Sequence, residues 1–296
     1  MSCLLSKLGT ATVLIIRTQA VLAAGKPSPG CGSAPKLISS ASTSTPLKLT
    51  VSSKSREFFV KLPDNYNASH PYRLVLTLHA LGGTAQAVIA GTGGYIPWYG
   101  LPPLANDTLG AIFIAPNGLS NGWANTNGDD VAFIRQAIAT VEADVCVDQT
   151  LRFSTGFSYG GAMSYALACA LGSDIRAVAA LSGNPQISGC ASPASDAVAY
   201  YGQHGVSDTV LPIAGGREMR DRFVKNNGCA VGTSTGVQEP AAGSGKHTKT
   251  VYTGCKADKP VVWVAFDGPH TPTPKDGGAS DTWVPAETWA FFAQFT

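Results

Sequence analysis

A chain of 296 residues, 44% of them apolar, is long enough to bury the core of one large α/β domain. Charged residues make up only 14% and the formal net charge is +2. No basic or acidic field stands out, which argues against nucleic acid as a partner.

From the N-terminus, residues 1–24 read as a signal peptide: Lys7 supplies a positive start, an apolar stretch runs from Leu8 to Ala24 with Arg17 inside it, and Val21-Leu22-Ala23 fits a small-residue cleavage site. No later segment has the roughly 18 consecutive apolar residues of a membrane span. Residues 25–45, rich in Pro, Ser, Gly and Thr, read as an irregular lead-in to a single domain over 25–296. Strand-like apolar runs follow at 57–62, 73–79, 111–115, 152–157, 177–182, 198–203 and 261–266, with helical patterns at 130–145 and 160–170. Several runs are continuously apolar and β-branched, as in strands buried on both faces. The alternation predicts an α/β fold, with a mostly parallel central sheet and helices on both faces. Between them lie a Gly- and Pro-rich loop at 82–104 and a polar excursion at 230–250.

The chain has seven cysteines. Cys3 falls in the signal peptide, and the other six lack zinc-like spacing, which predicts three disulfides in an oxidising compartment. A strand rising to a sharp turn and a helix descending from it would return Cys146 to Cys169; Cys229 with Cys255 would close the polar excursion; Cys31 with Cys190 is left. Two N-glycosylation sequons, at Asn67 and Asn106, agree with an extracellular, secreted protein.

Gly156-Phe157-Ser158-Tyr159-Gly160 fits G-x-S-x-G between a strand pattern and a helix pattern, the setting of the nucleophile elbow of the α/β-hydrolase fold. Serine needs a base, and the base an orienting acid, in the chain order Ser, Asp or Glu, His. His270, in a loop after the last predicted strand, is preferred over His247 and over His204, which comes too early. Asp208, just beyond the strand 198–203, is preferred over Asp267 as the acid. The two oxyanion donors are expected at the N–H of Tyr159 and at Leu81 or Ala80, in the loop His79-Ala80-Leu81-Gly82-Gly83. His79 reads as structural. Trp98 and Tyr99, with Tyr95, are candidates to stack on a flat acyl group. Trp123, Asp129 and Asp130 either shape the rim or, respectively, pack in the core and cap the helix.

Taken in order, His79-Ala-Leu-Gly-Gly83, Ala115-Pro-Asn-Gly118, Gly122-Trp-Ala-Asn125, Asp130-Val-Ala-Phe133, Gly156-Phe-Ser-Tyr-Gly-Gly161, His204-Gly-Val-Ser-Asp208 and Asp267-Gly-Pro-His270 resemble the polyhydroxybutyrate-depolymerase-like branch of carbohydrate esterase family 1. Within it the chain is most similar to fungal type C/D feruloyl esterases, from about Cys31 to the C-terminus. The resemblance implies hydrolysis of hydroxycinnamoyl esters on plant cell-wall polysaccharides such as arabinoxylan, and a triad of Ser158, Asp208 and His270. Ala80 stands where that family usually has glycine, which leaves the second oxyanion donor open. Acetyl-xylan or polyhydroxybutyrate-type esters are the alternative substrates, and an inactive carbohydrate-binding hydrolase fold is a third reading. The expected enzyme is a monomer that needs no metal or organic cofactor and has no nucleic-acid or membrane partner.

Overall fold

The computed structural model describes residues 25–38, 44–106, 108–190, 196–230 and 238–296; the expected signal peptide lies outside the described residues. Among the described residues nine strands form one sheet: β1 (Leu47–Val51), β2 (Lys54–Lys61), β3 (Tyr72–Leu78), β4 (Ala111–Pro116), β5 (Val147–Phe157), β6 (Ala177–Leu181), β7 (Ala199–Gly205), β8 (His247–Val251) and β9 (Val261–Phe266). Their order is β1-β2-β4-β3-β5-β6-β7-β9-β8. The strands from β4 to β9 in that order run parallel, while β1, β2 and β8 are antiparallel to their neighbours. The helices are α1 (Ala85–Ala90), α2 (Asp129–Asp144), α3 (Tyr159–Ala170), α4 (Ile213–Asn226) and α5 (Val284–Ala293).

Successive strand side chains point to opposite faces, and both faces are covered. Leu74, Leu76 and Leu78 of β3 pack in one buried cluster with Phe133 of α2, Met163 of α3 and Phe223 of α4. Val75, from the same strand, packs on the other side with Val88 of α1, Trp98 and Tyr99 of the following loop, and Phe292 of α5. This is why both sets of alternating positions in the runs at 73–79 and 111–115 are buried, and why 111–115 is apolar throughout. Strands β1 and β8 and helices α1, α4 and α5 were not among the predicted elements. β8 is a five-residue edge strand, His-Thr-Lys-Thr-Val, with no buried residue and so no apolar signal.

The disulfides correct two of the three expected pairings. Cys31 is bonded to Cys146 and Cys169 to Cys190, while Cys229 is bonded to Cys255. Cys146 sits at the foot of β5, which has 11 residues and so spans about 36 Å. Helix α3 has 12 residues and descends only about 18 Å, so Cys169 stops well short of that foot. Cys146 is instead met by the lead-in, which runs antiparallel to the start of β5: Ser28 N–H donates to Val147 O (2.8 Å) and Gln149 N–H to Lys26 O (2.8 Å). Among the described residues no helix is long and apolar enough to cross a membrane.

Candidate active site

In a parallel sheet, the loops beyond the strand carboxyl ends are the ones free to carry chemistry. Here those after β3, β4, β5, β7 and β9 bring Leu81, Gly122, Ser158, Asp208 and His270 to the same edge. Ser158 links β5 to α3 with φ 57° and ψ −115°, a region that costs a side-chain-bearing residue on the order of 1–3 kcal/mol. The turn persists because the backbone around it is locked. Ser158 N–H donates to Leu181 O of β6 (2.8 Å). A Cβ at Gly156 would lie 2.6 Å from the Gly160 carbonyl carbon, and one at Gly160 would lie 2.2 Å from Leu78 O. Backbone therefore packs on backbone at this corner.

His270 Nδ1 donates to Asp208 Oδ2 at 2.6 Å. The imidazole lies 4.5 Å from the ring of Phe157, centroid to centroid, beside the elbow. His270 Nε2 and Ser158 Oγ have no hydrogen-bond partner among the described residues. The carboxylate of Asp208 is buried and saturated: Oδ1 accepts from Val210 N (2.9 Å) and Leu211 N (2.8 Å), and Oδ2 accepts from His204 Nε2 (3.2 Å) as well as His270. Burial alone would push this carboxyl up. The hydrogen bonds from His204, His270 and Leu211, with the charge of His270, outweigh it and hold Asp208 well below the ordinary carboxylate range.

Asp267 and His247 are engaged elsewhere, and His204 lies behind Asp208. Asp267 Oδ2 accepts from Gly245 N (2.7 Å). His247 pairs with Asp276 (2.8 Å) and stacks on Trp283. His204 is fully buried, with its Nε2 2.7 Å from Leu211 O. His79 is also buried and bridges two strand ends: Nδ1 donates to Ala80 O (2.8 Å) and Nε2 accepts from Gly118 N (2.9 Å). Because Nε2 accepts, the ring is neutral, and desolvation lowers its pKa.

The loop expected to hold the second oxyanion donor accommodates Ala80. Ala80 does not take a positive φ, so its methyl is accommodated. Its N–H donates to the Tyr95 hydroxyl (2.7 Å), which removes it from the expected donors. Gly82 N–H goes to Asn121 O and Gly83 N–H to Ala80 O. The N–H of Leu81, and that of Tyr159 at the first turn of α3, have no partner among the described residues. Two such free donors, one of them on the residue after Ser158, are what a tetrahedral oxyanion needs.

The aromatic residues expected to stack on substrate turn inward. Trp98 and Tyr99 are 4% and 5% exposed and belong to the core, and Trp123 is completely buried. Trp123 Nε1 donates to His79 O (2.8 Å), and the Tyr99 hydroxyl donates to Leu78 O (2.6 Å) and accepts from Phe157 N (3.0 Å). Each aromatic thus braces a loop from beneath. Asp130 is likewise internal, pairing with Arg56 (2.6 Å) and accepting from Asn125 N (2.7 Å), while Asp129 pairs with Lys54 outside. What the site exposes instead is the Leu81 side chain, 68% accessible, with Leu119 at 41%. Leu81 and Tyr159 flank Gly122, where a Cβ would meet Tyr159 Cε1 at 2.9 Å and Leu81 Cδ1 at 3.2 Å. An apolar shelf thus adjoins the free N–H groups. The sequence carried its signal only as a leucine between an alanine and two glycines.

A cavity of about 710 Å³, lined by Lys61, Asp64, Asn67, His70 and Tyr72 among others, lies at the opposite end of the sheet, by the starts of β3 and β4. Among the described residues no cluster of three His, Cys, Asp or Glu side chains forms a metal site.

No family model matches the chain. It is 46% identical over 299 residues to feruloyl esterase D of Neurospora crassa, with all of both chains covered. It is also 46% identical over 268 residues to feruloyl esterase C of Emericella nidulans, covering 90% of this chain and 92% of that one. Among solved structures, an acetyl xylan esterase from Aspergillus awamori superposes with a TM-score of 0.56 at 15% identity, over 84% of this chain and 99% of that one, a likeness of fold.

Proposed function

The chain belongs to the family of fungal feruloyl esterases C and D, with the α/β-hydrolase fold, and from that premise we propose that it hydrolyses hydroxycinnamoyl esters of plant cell-wall polysaccharides such as arabinoxylan, with Ser158 as nucleophile, His270 as base and Asp208 as its orienting acid. The observation that carries the reading is the 2.6 Å contact between His270 Nδ1 and Asp208 beside the strained Ser158 turn.

In the proposed mechanism His270 Nε2 takes the Ser158 proton as Oγ bonds to the ester carbonyl carbon. The carbonyl oxygen becomes an oxyanion held by the N–H groups of Tyr159 and Leu81. The C–O bond to the sugar then breaks, and His270 returns the proton to the departing alkoxide. Water, deprotonated by His270, attacks the acyl-serine and releases the hydroxycinnamic acid. No step calls on a metal or organic cofactor. The Leu81–Tyr159 shelf supports a flat aromatic acyl group, since both side chains lie beside the proposed oxyanion donors. The three disulfides support export to an oxidising compartment. Asn67 and Asn106, both exposed, are the proposed glycan acceptors.

An organophosphonate should label the wild-type protein but not Ser158→Ala, and His270→Ala should lose on the order of 10⁴-fold or more in kcat. Wild-type turnover in Ser158→Ala overturns the mechanism. Among substrates, kcat/KM for methyl ferulate should exceed that for acetylated xylan and for hydroxybutyrate oligomers; the reverse order overturns the feruloyl reading and leaves the serine mechanism standing.

A further inference from the structure

Two histidines meet the same oxygen of Asp208, and only one of them faces the chemistry. His204, near the end of β7, is completely buried. Its Nε2 lies 2.7 Å from Leu211 O and 3.2 Å from Asp208 Oδ2. A carbonyl oxygen only accepts, so Nε2 carries the hydrogen and shares it between the two oxygens. Nδ1 is then a bare lone pair, buried and without a partner among the described residues. It sits against α4 so closely that a Cβ at Gly216 would come within 2.5 Å of it.

A buried unpartnered acceptor is a cost that a phenyl ring in the same space would not incur. The imidazole recovers interaction at one place only, the turn from Asp208 to Leu211. There Leu211 N–H donates to Asp208 Oδ1 while Leu211 O receives His204. The two bonds from Val210 and Leu211 belong to the turn itself and would move with it. His204 stands in the sheet, paired in register with Ala265 of β9, and so ties both the turn and the carboxylate to a fixed strand.

We propose that His204 is a positioning residue for the reaction, its shared Nε2–H fixing the plane of the Asp208 carboxylate so that Oδ2 is presented to His270. The proposal rests on the triad reading above. It predicts a chemical effect as well as a geometric one. The His204 hydrogen bond draws negative charge from Asp208; without it the carboxylate would stabilise the His270 imidazolium more strongly, and the acid limb of kcat/KM would move to higher pH. The titratable groups on this contact are Asp208, His204 and His270. Arg220 of α4 lies over the Trp263 ring (5.4 Å) and pairs with Asp221 (2.8 Å).

The test compares His204→Phe, which keeps a ring and removes the donor, with His204→Gln, which keeps an amide N–H at similar reach. Methyl ferulate turnover is measured across pH, alongside thermal unfolding. In His204→Phe, kcat should fall on the order of tenfold to a hundredfold with KM nearly unchanged, and the acid limb should move up in pH. His204→Gln should recover most of the turnover and the wild-type limb. Wild-type kcat and pH profile in His204→Phe, or equal impairment of the two variants with equal loss of thermal stability, overturns the proposal. If His204→Phe does not fold, Gly216→Ala reads the same contact by displacing the imidazole: reduced kcat with a shifted acid limb supports it, and an unchanged profile overturns it. Failure of the triad reading would appear separately, as turnover retained by Ser158→Ala.

Discussion

Removing one oxygen atom from Tyr99 should damage the elbow without touching any residue of the proposed triad. In the folded chain the Tyr99 hydroxyl donates to Leu78 O (2.6 Å) at the end of β3 and accepts from Phe157 N (3.0 Å) at the end of β5. Burial pushes the phenol well above its ordinary range, so it is always a donor. Those two strands part just there, one toward the oxyanion loop and the other toward Ser158, and the hydroxyl fills the gap where their own ladder ends. Tyr99→Phe leaves one buried carbonyl and one buried N–H unpaired, each costing about 1–3 kcal/mol. Taking the lower part of that range for both, stability falls by about 2–4 kcal/mol, which for a chain of this size lowers the unfolding temperature by about 5–10 °C. Because Phe157 precedes Ser158, kcat should fall with it, while KM for methyl ferulate stays near the wild-type value. Scanning calorimetry and steady-state kinetics on the two proteins read all three quantities. An unchanged unfolding temperature together with a raised KM would refute the reasoning, because it would make Tyr99 a substrate contact rather than a brace.

Leu81→Ser keeps the proposed oxyanion N–H and removes the exposed side chain; kcat/KM should drop by about tenfold for methyl ferulate, the worth of a partly buried leucine contact, and hardly at all for an acetyl ester. Equal losses on both substrates would count against the shelf as an acyl-ring contact. The carboxyl of Asp208 is held low in the folded protein, so it contributes stability above the unfolded value of about 3.9, and that contribution is lost as pH falls below this value toward the folded one. Urea unfolding of Asp208→Asn should therefore show its largest deficit near neutral pH and a shrinking one below about pH 4; a deficit constant with pH would contradict the assignment.

The elbow was legible because its chemistry demands a short local pattern: glycines where backbone meets backbone, a strand before and a helix after. The contact between His270 and Asp208 was legible because the fold orders the two residues along the chain. The aromatic residues were misassigned because residue type does not report direction. Trp98, Tyr99 and Trp123 lie in loops near the site, as expected, but their rings turn inward, and Trp98 and Tyr99 do so through backbone at positive φ, 54° and 59°. Helix α4 was missed because its first turn contains Gly215 and Gly216, which erase the helical signal; the second of them makes room for His204. The pairing of Cys146 depended on two lengths, the full 11 residues of β5 and the reach of the lead-in, neither visible from cysteine spacing.

The disulfide connectivity has a consequence for how the chain is made. Six cysteines admit about 15 pairings, and the set adopted here is the sequential one: Cys31 to Cys146, Cys169 to Cys190, Cys229 to Cys255. In a polypeptide synthesised from its N-terminus these six emerge one at a time, so among them the partner of each waiting thiol is always the next to arrive. Oxidation in order of emergence then yields the native set directly, with no crossed intermediate for an isomerase to undo. The long wait falls on Cys31, whose partner lies 115 residues downstream, so the lead-in can be fastened only once the first residue ahead of β5 has emerged.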